Sequence, residues 1–126
     1  MTDTAHLTID TVDGQRAFVP GETVEVSVSW QAYERAEAIE LRLVWYTHGK
    51  GATDVSVVQT ERFEEPAIVD SRRCRLPLPA SPYSFSGKLI SLAWAVELVV
   101  LPNGPSTRLD IVVAPEGREV ELYQEG

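Results

Sequence analysis

Cys74 is the single cysteine of this 126-residue chain, and it stands inside Arg72-Arg73-Cys74-Arg75, where neighbouring cations would help to hold a thiolate. A cysteine nucleophile is one chemistry on offer. On a strand, however, Cys74 shares a face with Arg72 and Leu76, the usual setting of a buried, inert thiol. One cysteine also excludes an internal disulfide and any multi-cysteine zinc or iron–sulfur site, and it suits a reducing compartment. His6 and His48 have no His/Cys/Asp cluster at ligand spacing, so neither a metal nor another cofactor is expected, and His48 reads as a surface residue of a hairpin. The serine signature Gly-x-Ser-x-Gly is absent, and Ser84 and Ser86 read as hydroxyls that cap a turn. His48-Gly-Lys-Gly51 offers Lys50 and free amides to an anion, but it lacks phosphate-loop spacing. The runs Glu34, Glu37, Glu40 and Glu61, Glu64, Glu65 match neither a calcium loop nor a helical face, and read as solvated charge. No catalytic residue is expected.

Recognition chemistry is better represented. Arg72, Arg73 and Arg75 make one basic island in a chain with 11 Lys+Arg, 19 Asp+Glu and a net charge of −8. Arg73 and Arg75 fall on one face of a strand, where they suit an acidic peptide, a phosphate or the chain's own glutamate-rich tail, or simply charge an edge against aggregation. The overall acidity argues against nucleic acid, whose nonspecific affinity rests on cations that displace counterions. Tyr83 and Phe85, in a loop, are the aromatic contact candidates for a protein partner. The alternative is a carbohydrate or small-ligand module of a secreted enzyme that stacks its ligand on Tyr33, Tyr46 and Tyr83.

These side chains need a scaffold, and the dominant pattern has period two. Val24, Val26, Val28 and Trp30 alternate with Glu25, Ser27 and Ser29, and Ile39, Leu41, Leu43 and Trp45 alternate with Glu40 and Arg42. Leu7 and Ile9, closed by Asp13-Gly14 and followed by Ala17-Phe-Val19, predict a short opening hairpin, and His48–Gly51 predicts a second reversal before a strand over 54–60. Three prolines between Leu76 and Pro82 confine that stretch to an edge or a loop. Lys88 to Val100 predicts a long strand with Trp94 inward. Its other face, Leu89, Ala93, Ala95 and Val99, is apolar and small enough for a homo-oligomer interface. Pro102-Asn-Gly-Pro105 turns the chain into a last strand over 108–114, ahead of an acidic tail, 115–126, with one short strand over 120–123. The run from Leu89 to Leu101 is too short and too interrupted for a transmembrane segment, and the polar start shows no secretory leader, so cytoplasm is the expected location.

Strands separated by turns with no helical pattern predict an all-β, two-sheet antiparallel β-sandwich of immunoglobulin-like type in a single domain, 1–126, with its core over roughly 5–114. Phe18-Val-Pro-Gly-Glu-Thr-Val24, Glu40-Leu-Arg-Leu-Val44 and Leu76-Pro-Leu-Pro-Ala-Ser-Pro82, the last leading through Gly87 into the Trp94 strand, resemble the arrestin-type β-sandwich. The resemblance covers about residues 5 to 114 and implies a noncatalytic scaffold or adaptor that binds protein partners. The chain has one domain where arrestins have two, and the paired lysines of the family's phosphate sensor have no counterpart here.

Overall fold

The computed structural model describes residues 6–32, 35–49, 51–87, 89–115 and 120–121. Among these the chain is all-β, with ten strands and no helix, and therefore no helix long and apolar enough to cross a membrane. The strands are β1 (His6–Thr11), β2 (Ala17–Phe18), β3 (Thr23–Gln31), β4 (Ala38–Gly49), β5 (Ala52–Glu64), β6 (Val69–Pro77), β7 (Phe85–Ser86), β8 (Ser91–Leu101), β9 (Ser106–Val113) and β10 (Val120–Glu121). A three-stranded sheet has the order β1-β3-β6. The second sheet has seven strands: β5, β4 and β8 lie side by side, and the far side of β8 is taken by β9 along most of its length and by β7 at its start. Beyond these lie β2, on β9, and β10, on β7.

Alternation dictates which face each strand buries. Val24, Val26, Val28 and Trp30 of β3 pack with Ile39, Leu41 and Leu43 of β4 and with Leu92, Trp94, Val96 and Leu98 of β8 in a single apolar cluster between the sheets. Each buried indole finds an acceptor, as buried Trp N–H groups require: Trp30 Nε1 donates to the Ala67 carbonyl at 2.9 Å and Trp94 Nε1 to the Pro82 carbonyl at 3.0 Å. Trp45 pairs across from Trp94 and lines the same cluster, half-buried. The architecture is thus β-sandwich-like.

Two features differ from the expected all-antiparallel sandwich. The opening hairpin does not form. β1 pairs with β3, in a register that sets Leu7 beside Trp30 and Ile9 beside Val28, so the apolar residues of both strands point to the same interior. The two-residue β2 crosses instead to the other sheet and runs parallel to β9, where the Arg16 carbonyl accepts from Val112 N at 2.8 Å and the Phe18 carbonyl accepts from Ala114 N at 3.0 Å. Phe18 is thereby buried. β10 is likewise parallel to β7, so the second sheet is mixed. The long strand also starts later than the pattern suggests, at Ser91, which leaves Leu89 in the preceding turn.

Candidate functional site

The strands at one side of the sandwich are both edges, β5 in the second sheet and β6 in the first, joined by residues 65–68. Phe63 of β5 lies with its ring centroid 5.7 Å from that of Trp30, and the Arg72 guanidinium sits over Phe63 at 5.2 Å. Arg72 also bonds Asp70 at 3.1 Å. One member of the arginine island is therefore used to close the mouth between the sheets.

Arg73 and Arg75 point the other way, onto the outer face of the three-stranded sheet, opposite Ser27 and Glu25 respectively. Arg75 bonds Glu25 at 2.6 Å, whereas Arg73 is exposed and forms no ion pair among the described residues. Tyr83 is exposed in the proline-rich loop, and Phe85 is half-buried against the core in β7, opposite Leu92. The arginine pair belongs to one sheet and Phe85 to the other.

The Cys74 thiol is pushed above its ordinary value by burial and then by the Glu61 carboxylate, with Arg72 acting weakly in the opposite sense. That is the reverse of the shift a thiolate nucleophile requires. Among the described residues no group of three or more His, Cys, Asp or Glu side chains is placed to hold a metal ion.

The outer face of the second sheet centres on Tyr46. Its neighbours in register are Val55 on β5 and Ala93 on β8. The Arg108 guanidinium covers the Tyr46 ring at 4.8 Å from the centroid, and His48 stacks beside it at 6.1 Å. A sugar would have to displace Arg108 to stack on that face. Tyr33, the other proposed platform besides Tyr83, lies outside the described residues. Of the small apolar residues read as an oligomer face, Ala95 is fully buried, Ala93 and Val99 are half-buried, and Leu89 is exposed outside the strand. Ala95 sits between Val44 and Asp110, beside the cluster of Tyr46 and Arg108, so its small side chain lies below the level of its neighbours.

The exposed apolar surface lies instead on β5. Val55 is 60% exposed and Val57 51%, and no strand covers the outer side of β5 among the described residues. Gln59 pairs with Leu43 and Val57 with Val44, so Val58 is the extra residue of a β-bulge. The bulge separates two unlike halves. Toward Glu64, Arg62 bonds Glu64 at 2.5 Å and Glu40 at 2.6 Å, and Glu40 also accepts from Arg42 at 2.7 Å. Both guanidinium groups, Arg42 first, hold the Glu40 carboxyl below the usual carboxylate range. Toward Ala52 the strand carries Asp54 and then the uncharged run Val55-Ser-Val-Val58. Charge and irregularity are common protections of sheet edges, and the run Val55–Val58 has only Asp54 before it and the bulge at its end. The sequence held a signal for it in four uncharged residues, three of them β-branched and apolar, but nothing local says whether another strand covers them. A scan of protein-family models and a search of curated proteins find no match to the chain.

Proposed function

We propose that the chain is a noncatalytic, arrestin-like sandwich domain that binds protein through the side of the fold where β5 and β6 end their sheets. The observation that carries this reading is the uncharged, exposed stretch Val55–Val58 on an edge strand, a form of surface that takes up an additional extended segment by backbone pairing. The resemblance of the Phe18–Val24 and Leu76–Gly87 segments to arrestin-type sandwiches supports the same reading, since such domains act as adaptors.

The test uses a photo-crosslinking residue placed at Val55 in one sample and at Gln15, in the loop before β2, in another. Irradiation at protein concentrations that allow association should yield protein–protein adducts from position 55 and none from position 15. Absence of adducts from position 55, or equal yields from both, would falsify the reading.

A further inference from the structure

Building on that reading, we propose that the occupant of the β5 edge is a second copy of this chain, paired antiparallel about a two-fold axis at Ser56. The evidence is the self-complementarity of the strand. Val55 and Val57 are exposed and point to the same face, one on each side of Ser56. A two-fold at Ser56 therefore sets Val55 against the partner's Val57 and Val57 against the partner's Val55. In register with β4 and β8, Val55 continues the row Ala93-Tyr46 and Val57 continues Ala95-Val44. The pairing joins these rows across the axis, extending two apolar rows through both copies, and cross-strand apolar pairs are the unit of sheet stabilisation.

Charge favours the same register. The paired stretch runs from Asp54 to the bulge at Val58, which leaves Glu61, Arg62 and Glu64 beyond its ends. Asp54 is the one charged residue inside it. It falls opposite the partner's Val58, and the two Asp54 carboxylates are offset by four residues, about 13 Å along the strand, more than the screening length of roughly 8 Å at physiological salt. A chain of net charge −8 gains from an interface that opposes no like charges. An isologous contact of this kind closes on itself, so it gives a dimer and not a fibre. One strand pair is a small interface, which makes the dimer reversible on dilution.

The full chain should sediment as a dimer that dissociates on dilution. The Val55→Lys/Val57→Lys double variant, shown by circular dichroism to be folded, should need roughly tenfold higher concentration or more to associate. Register is tested in a Cys74→Ser background. Residues opposite one another at the axis have Cα atoms about 4.5–5.5 Å apart, within disulfide range, so Ser56→Cys should form an intermolecular disulfide under oxidation. Thr60→Cys, whose copies are about 26 Å apart along the strand, should not. A chain monomeric at every concentration, a dimer indifferent to the two lysines, or equal bridging at positions 56 and 60 would each overturn the proposal. A monomer that still crosslinks to other proteins from position 55 would overturn this inference alone and leave the protein-binding reading in place.

Discussion

The Arg108 guanidinium of β9 lies 4.8 Å from the centroid of the Tyr46 ring of β4, across the intervening strand β8. The two residues are far apart in sequence, and only the strand order β4-β8-β9 brings them onto one face. The contact covers one face of the Tyr46 ring, and Arg108 is itself tethered to Asp110 at 3.3 Å.

Arg108→Ala should therefore lower stability by about 0.5–1 kcal/mol, the range for a partly exposed cation–π pair. The surface ion pair to Asp110 adds little to this. Urea denaturation measures the change, and a midpoint equal to that of the unaltered chain would show that the contact contributes nothing. Arg108→Lys should retain part of the effect, because the ammonium keeps the charge but loses the flat stacking surface.

Gly49 ends β4 against the turn that precedes β8. A Cβ at this position would lie 1.9 Å from the Leu89 carbonyl oxygen and 2.8 Å from the Ile90 Cα, and both are backbone atoms that no side-chain rotation can move aside. Gly49→Ala should cost about 1–3 kcal/mol, as overpacking does. The loss is read from thermal unfolding. An alanine variant as stable as the parent would mean that the β4–β5 hairpin and the Leu89 turn do not approach this closely in solution.

Acid sensitivity should concentrate at Glu40. Its carboxyl is held below the ordinary value of about 4.5, first by the Arg42 guanidinium and then by Arg62. The folded state thus binds this proton less readily than the unfolded chain does. The stability this carboxylate contributes is complete above pH 4.5 and is lost as pH falls through the lower folded value. Glu40→Gln should flatten the fall of the urea midpoint below about pH 4.5 while lowering stability at neutral pH. An unaltered acid limb in the variant would count against the role of this pair of arginines.

Cys74 should alkylate more slowly in the folded chain than in urea at the same pH, because burial and Glu61 both disfavour its thiolate. Glu61→Gln should speed the native reaction without changing the rate in urea. A native rate above the denatured one would contradict the upward shift and revive the thiol as a nucleophile.

Much of the fold was legible from local pattern. The alternation Val24, Val26, Val28, Trp30 placed each of these side chains on the buried face of β3, and the same rule placed Leu92, Trp94, Val96 and Leu98 on β8. The glycine-rich turn at His48–Gly51 and the prolines after Leu76 marked chain reversals and an edge strand, because they act through backbone torsion and missing donors at their own positions. The candidate site was less legible. Arg73 and Arg75 did fall together on an exposed face, as a period of two requires, but Arg75 is engaged by Glu25 from the neighbouring strand.

What the sequence determined by itself, then, is which residues form strands and which side chains point inward, since both follow from a spacing measured along one short segment. Tertiary structure alone decided that Phe18 of β2 takes a parallel seat on β9 and does not pair with β1, that Ala95 is buried beneath taller neighbours, and that Val55 and Val57 stand at an open edge. Each of these depends on which distant strand arrives alongside. That choice is made by the combined burial of whole faces, and no single segment encodes it.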